Sequence, residues 1–344
     1  NPMPDNGIKF FAHGGYKLPD QVEDQIQELL NTPWDRPTGA AVGEVEYDDD
    51  WAEKSYIEHL MTSLGTDLHG LRIAVDCANG GASFLAPEAF RQAGADAVVI
   101  NAAPDGRNIN DKAGSTHPEQ LQALTVASEA DFGVAYDGDA DRCLAVDRHG
   151  NLVDGDKIMG ALAVHMRDEG QLAKDTLVVT VMSNLGLILA MQEAGIQTVQ
   201  TGVGDRYVLE AMLEGGYSLG GEQSGHIIAK KYATTGDGIL SSLLLARMVK
   251  ESGRDLADLT SFIKRLPQTL INVGGVDRSR AASDPVVAEA VAAAEAVLGN
   301  TGRVLLRPSG TEPLVRVMVE AATQAQADGV ASRLADVVKE SLSL

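Results

Sequence analysis

The chain has little to cross-link with. Only two cysteines occur in 344 residues, Cys77 and Cys143, and they form no CxxC pair. Neither a disulfide framework nor a thiolate metal site is expected, and both read as small buried hydrophobes of a reduced compartment. Aromatic residues are scarce at 4%, which leaves the core to Ala, Val and Leu. No run of about 18 apolar residues occurs, so no membrane-spanning helix is expected. No charged-then-apolar leader is visible either. Basic residues are also short, 28 against 49 acidic, for a net charge of −21. Such a surface repels phosphate polymers and anionic membranes, so neither nucleic acid nor membrane is an expected partner. An anionic substrate would have to be met by basic groups focused locally. Low-complexity linkers and short-period repeats are not evident.

Glycine is plentiful, at 36 residues, and much of it falls between strand-like and helix-like segments. The runs 71–77, 97–101, 132–136, 143–146 and 177–182 are strand-like. Helical patterns follow near 84–92, 118–130, 186–194 and 238–250. This βαβ rhythm predicts parallel-type sheets covered by helices. After Pro267 the pattern changes. Strand-like 269–275 leads to a strong helix over 286–299, closed by Gly299. Then come 303–306 and 314–321, where Val315, Val317 and Val319 alternate with Arg316, Met318 and Glu320. Period two predicts a half-buried, antiparallel strand there. A final helix is expected over 326–342, making a small α+β unit distinct from what precedes it. Boundaries fall near 64, 165 and 266. The acidic run Glu44–Asp50 reads as a solvated loop.

Five segments offer chemistry. In Asp137-Gly138-Asp139-Ala140-Asp141-Arg142, three carboxylates alternate within one tight loop between strands. Something positive should sit among them, and hard oxygen ligands suit Mg²⁺ or Ca²⁺. An EF-hand is excluded, because its required Gly and Glu positions are occupied by Arg142 and Arg148. Three protein oxygens leave an octahedral Mg²⁺ with open positions, and Arg142 stands ready to hold the same phosphate. The competing reading is a solvated Asx-rich turn.

Arg307-Pro308-Ser309-Gly310-Thr311-Glu312-Pro313 combines a guanidinium, two hydroxyls and flexible backbone, which are the parts of a phosphate cradle. Arg316 follows on the next strand. A plain turn before an edge strand is the alternative. In Gly220-Gly221-Glu222-Gln223-Ser224-Gly225-His226, Glu222 and Ser224 alternate and so could bind vicinal sugar hydroxyls. Thr201–Arg206 either presents amides and Arg206 to an anion or is a capped β-to-α turn, with Asp205 opening the helix. At the N-terminus, Asn6-Gly7 signals a turn before strand-like Ile8–Phe11. Lys9 there would have a depressed pKa if buried beside its aromatic neighbours, and would otherwise be a solvated charge.

Taken in order, the segments NPMPDNGIKFF, DGDADR, GGEQSGH and RPSGTEPLVRV resemble the α-D-phosphohexomutase family over essentially the whole chain. The wording of GEQSGH, GDRYV and RPSGTEPLVRVMVE is most similar to the family's amino-sugar-phosphate branch. The resemblance implies a multi-domain α/β protein. Three mixed-sheet α/β domains, the first incomplete, would be followed by a smaller C-terminal α+β domain, over 1–64, 65–165, 166–266 and 267–344. It implies an isomerase that interconverts 6-phospho and 1-phospho amino sugars through a phosphoserine and a bisphosphosugar intermediate, for cell-wall precursor synthesis in the cytoplasm. Mg²⁺ is the implied cofactor and a homodimer the implied assembly. Carried onto this chain, Asp137, Asp139 and Asp141 become the Mg²⁺ ligands, and Arg142 contacts the serine-borne phosphate. Lys9 becomes a candidate general acid/base, and Glu222 and Ser224 read sugar hydroxyls. Arg307, Ser309, Gly310 and Thr311 clamp the non-reacting phosphate with help from Arg316, and Asp205 and Arg206 line the cleft. The family's serine stands in a Ser-His-Asn-Pro type segment. Here the chain begins Asn1-Pro2, so that serine is expected upstream, and the chain as written is expected not to turn over.

Overall fold

Short β-branched runs punctuated by glycine turns are too brief for helices and become strands, which the intervening amphipathic segments cover. The computed structural model describes residues 1–5, 7–46, 51–309 and 312–344. Its contacts gather into two units. One comprises Asn1–Met182 and Ala194–Phe262, the other Ser183–Glu193 and Ile263–Leu344.

The first unit opens with helices α1 (Asp20–Leu30) and α2 (Trp51–Leu64). Five strands follow: β1 (Arg72–Asp76), β2 (Asp96–Ile100), β3 (Phe132–Tyr136), β4 (Cys143–Asp147) and β5 (Leu152–Val153). They form one sheet in the order β2-β1-β3-β4-β5. The first three are parallel, and β4 turns back antiparallel to β3. Helices α3 (Ala82–Gln92) and α4 (Glu119–Ala127) make the crossovers. Every residue of β3 is buried, and a phenylalanine such as Phe132, fully enclosed, contributes about 2–3 kcal/mol of hydrophobic stabilisation. Cys77 and Cys143 are both buried and free.

Helix α5 (Gly155–Asp168), capped by the Asp154 carboxylate, leads to a second sheet. Its strands are β6 (Thr176–Thr180), β7 (Gln197–Thr201), β8 (Leu219–Gly221) and β9 (Ile227–Ala229), in the order β7-β6-β8-β9. Again three strands run parallel and the last pairs antiparallel. Between β6 and β7 lies α6 (Leu185–Glu193), which packs with the second unit. Helices α7 (Asp205–Gly215), α8 (Gly238–Ser252) and α9 (Leu256–Thr260) complete the first unit.

In the second unit, β10 (Gln268–Gly274), β11 (Arg303–Pro308) and β12 (Leu314–Glu320) form an antiparallel sheet with β12 central. Helices α10 (Pro285–Leu298) and α11 (Gln324–Ser341) bury its apolar face. The period-two expectation for β12 fails at its end. Met318 and Glu320 are buried along with Val315, Val317 and Val319. Glu320 is held inside by Arg303 Nε at 2.7 Å, Asn184 Nδ2 at 3.0 Å and the Leu185 amide at 2.9 Å. A buried carboxylate with that many donors is satisfied, so polarity no longer reports exposure.

The N-terminal segment also differs from expectation. Ile8–Phe11 is not a strand; among the described residues the pairing there is an isolated bridge from Phe11 to Lys17. Residues 44–46 are exposed, while the rest of the acidic run, and Asn6, lie outside the described residues. Among the described residues no helix is long and apolar enough to cross a membrane.

Candidate active site

In each mixed sheet the chain leaves the first parallel strand to one side and returns to the other. The carboxyl ends of β1 and β3, and of β6 and β8, therefore flank a switch point, where crevices form in α/β sheets. The third parallel strand of each sheet ends in a tight hairpin loop: residues 137–142 after β3, and 222–226 after β8.

Backbone contacts lock these two loops in place and to each other. The Gly81 amide donates to the Gly138 carbonyl at 2.8 Å, the Gly238 amide to Ala140 at 2.9 Å, and the Cys143 amide to Gly225 at 3.0 Å. Two glycines are required by close approach. A Cβ on Gly80 would lie 2.3 Å from the Gly138 oxygen, and one on Gly225, at φ +93°, 2.3 Å from the Cys143 oxygen.

The loop so held gathers the carboxylates of Asp137, Asp139 and Asp141 within 4.8 Å of one another. Lys9 reaches them from far away in sequence. Its Nζ donates to Asp139 and, at 3.0 Å, to Asp141 Oδ2. Arg142 Nε stands 3.9 Å from both Asp137 and Asp141. Burial pushes Asp137 up to about 6, with Asp141 and Asp139 adding repulsion. Burial is the largest influence on Asp139 and pushes it up, but the hydrogen bond and charge of Lys9, with a hydrogen bond from Asp137, together outweigh it and hold that carboxyl below its ordinary range. Asp141 is held lower still, burial being overcome by His226 and Lys9. The depressed pKa expected for a buried Lys9 is corrected here. Burial does pull it down, but the two aspartates outweigh that and raise it, and its side chain stays about half exposed.

The chemistry of this donor set fits a hard divalent cation: three carboxylate oxygens, with no sulfur or imidazole among them. A second cluster in ligand range, His165, Glu169 and Glu251, already shares a cation of the chain. Arg247 Nε donates to Glu251 at 2.8 Å, and its guanidinium lies 3.6 Å from Glu169.

Glu222 and Ser224 sit on a turn, closed by the Gly225 amide bonding the Glu222 carbonyl at 3.0 Å. Ser224 is exposed at its tip, and Glu222 Oε1 accepts from the Gly204 amide at 3.1 Å. That bond ties the loop to the 201–206 turn. Asp205 pairs with Lys17, and Arg206 donates to Glu210 at 2.8 Å. His226, with 3% of its surface exposed, lies between the loops. Its Nδ1 is 3.5 Å from Asp141 and its Nε2 3.5 Å from Asp205. Neither His226 nor Lys17, the cation partner of Asp205, has a role in the sequence analysis; only the His at the end of GGEQSGH offered a signal.

In the second unit, Arg307 and Arg316 are direct cross-strand partners on β11 and β12. Side chains at paired positions share one sheet face, and like charges placed there are destabilising, so an anion between them would relieve the pair. Among the described residues Arg316 Nε is buried without a hydrogen-bond partner, and its guanidinium lies 3.6 Å from Glu312. Ser309 is buried and its hydroxyl accepts from the Glu312 amide at 3.2 Å. Gly310 and Thr311 lie outside the described residues. Arg278, which sequence reasoning passed over, braces this segment by donating to the carbonyls of Ser309 and, at 3.2 Å, Glu312.

Comparison with known proteins places the chain. Family models described as phosphoglucomutase/phosphomannomutase match it over three stretches: alpha/beta/alpha domain II over 54–150, alpha/beta/alpha domain III over 154–266 and the C-terminal domain over 270–337. A phosphoglucosamine mutase of Bifidobacterium longum subsp. infantis is 61% identical over 353 residues, spanning 100% of this chain and 77% of that protein. One from Streptomyces coelicolor is 58% identical over 99% of this chain and 76% of its own. Among solved structures, the N-acetylphosphoglucosamine mutase of Aspergillus fumigatus, in complex with GlcNAc-6P and magnesium, superposes with a TM-score of 0.70. It is 23% identical, over 85% of this chain and 66% of that one. A phosphoglucomutase/phosphomannomutase family protein of Burkholderia thailandensis gives 0.73 at 22% identity, over 94% and 70%.

Proposed function

The chain belongs to the phosphoglucomutase/phosphomannomutase family of α-D-phosphohexomutases, and from that premise we propose that it serves phosphoglucosamine mutase chemistry. The reaction is the interconversion of glucosamine 6-phosphate and glucosamine 1-phosphate through a phosphoserine and a bisphosphosugar, an isomerase step in amino-sugar nucleotide synthesis. The single observation that carries the reading is the gathering of three carboxylates within 4.8 Å at the end of β3. The identity to relatives named phosphoglucosamine mutase supports the choice of sugar.

In this reading Asp137, Asp139 and Asp141 hold Mg²⁺, which when bound supplies positive charge to a transferring phosphoryl group. The chain's own residues do the rest. Arg142 offers a forked donor to the same phosphoryl oxygens. Lys9, kept as an ammonium by its two aspartates, serves on the acid side, with a proton on Nζ for an oxygen that gains charge. Glu222 and Ser224 orient sugar hydroxyls from the second hairpin loop, with Asp205 and Arg206 lining the approach. Arg307 and Arg316, with Ser309, Gly310 and Thr311, hold the phosphate that does not react. The four stretches 1–64, 65–165, 166–266 and 267–344 are the modules of this division of labour. A cytoplasmic location and a homodimer belong to the same reading.

The experiment is a comparison of turnover on glucosamine 6-phosphate and mannose 6-phosphate with Mg²⁺, using the complete protein. A preference for the amino sugar is expected; a preference for mannose 6-phosphate overturns the substrate assignment.

A further inference from the structure

The buried His226 ring is held in one orientation from several sides. The Gly236 amide donates to its Nε2 at 3.0 Å. With Nε2 accepting, the ring proton sits on Nδ1, the nitrogen that faces Asp141 Oδ2 at 3.5 Å. Gly236 is pressed against the ring so closely that a Cβ there would lie 2.5 Å from Cε1 and Nε2. The His226 backbone carbonyl accepts from the Glu222 amide at 3.0 Å, so the residue carrying the ring is anchored by the second hairpin loop. Asp205, on the Nε2 side, is occupied by Lys17.

We propose that His226 is a positioning residue for the cation site: it presents Nδ1–H to Asp141 and fixes that carboxylate for metal binding. This rests on the reading of Asp137, Asp139 and Asp141 as the magnesium ligands. An imidazole that donates to a ligating carboxylate holds the carboxylate's rotamer, and losing such a partner typically weakens metal binding by about ten- to a hundredfold. The arrangement also makes the loop that reads the sugar responsible for the geometry of the loop that holds the metal.

The two amide replacements of histidine separate this role from simple packing. In His226→Asn the side-chain nitrogen falls near the position of Nδ1, whereas in His226→Gln it falls near Nε2. Mg²⁺ binding to the 344-residue chain is measured by titration calorimetry, with thermal unfolding as the check on folding. The wild type and His226→Asn should bind Mg²⁺ within about twofold of each other, and His226→Gln about tenfold more weakly. Gln binding as tightly as wild type, or Asn as weakly as Gln, overturns the positioning role while leaving the magnesium site standing. Should Gln not fold, Gly236→Ala displaces the ring and keeps the imidazole; unchanged affinity in that variant also overturns the role. Absence of Mg²⁺ binding by the wild type itself removes both the role and the metal reading beneath it.

Discussion

The two mixed sheets of the first unit are built alike and equipped differently. In the orders β2-β1-β3-β4 and β7-β6-β8-β9, three strands run parallel and the fourth returns antiparallel. In both, proposed site residues lie on the hairpin after the third parallel strand. One hairpin holds three aspartates and an arginine; the other holds a glutamate and a serine between glycines, then a histidine. Topology sets the location twice, at the carboxyl end beside a switch point, and the loop sequence sets which side chains stand there. No short-period repeat is visible in the sequence, because what repeats is strand order rather than side chains.

The sharpest way to break this comparison is to disarm one loop at a time. Asp139→Ala should weaken Mg²⁺ binding by about a hundredfold or more in calorimetry, since it removes one of the three proposed ligands. Ser224→Ala, at the tip of the other hairpin, should leave Mg²⁺ binding within twofold. Equal effects would mean that the loops do not divide the work, and no effect from Asp139→Ala would make the acidic loop only a turn.

Next in size is the glycine stitching that both loops share. Gly80→Ala and Gly225→Ala each force a Cβ to about 2.3 Å from a carbonyl oxygen. Each should cost about 2–4 kcal/mol in urea unfolding. A cost under about 1 kcal/mol would show that the loops adjust independently.

A pH dependence should distinguish the acidic loop further. Asp137 lies raised from 3.8 to about 6, so the folded chain prefers it protonated. Its favourable contribution is complete below about pH 4 and is lost as pH rises through about 6, a span of about 2–3 kcal/mol at 1.36 kcal/mol per pH unit. Asp137→Asn should therefore stabilise the metal-free chain at pH 7 by about 2 kcal/mol and have little effect at pH 3.5. Mg²⁺ affinity should fall steadily below pH 6, because the ligand must lose its proton. A flat affinity profile between pH 5 and 7 would contradict this.

The smallest effect is reserved for Glu222→Gln. The amide oxygen still accepts from Gly204, so unfolding should change by less than about 0.5 kcal/mol, while affinity for glucosamine 6-phosphate should fall about fivefold. A larger loss of stability with unchanged binding would reduce Glu222 to a structural tie.

Much of this fold is legible locally. The runs 132–136 and 143–146 mark β3 and most of β4, because both are apolar and directly flank a glycine-bearing polar loop; the hairpin and its acidic content follow. Helix α10 and its glycine stop are legible for the same reason. What stays hidden depends on partners distant in sequence. Lys9 looks like a solvated or depressed lysine until Asp139 and Asp141 are brought to it. Glu320 reads as an outward residue of an alternating strand until Arg303 and Asn184 enclose it. Ile8–Phe11 has strand composition, yet a strand needs a neighbour to bond with, and beyond the single Phe11 bridge none is recorded there among the described residues. The like-charged pair Arg307 and Arg316 becomes visible only once register is known.

The enclosure of Glu320 has a consequence for anyone cutting the gene. The backbone passes between the two units after Met182, after Glu193 and after Phe262, so the second unit is not one contiguous piece of sequence. A transplant beginning at Ile263 would carry Glu320 and Arg303 but leave behind the Asn184 amide and the Leu185 N–H that complete the carboxylate's shell. An oxygen stripped of such donors in a sealed interior costs about 1–3 kcal/mol. The portable cassette is therefore discontinuous: residues 183–193 must travel with the C-terminal stretch, although more than sixty residues of another sheet separate them in the reading frame.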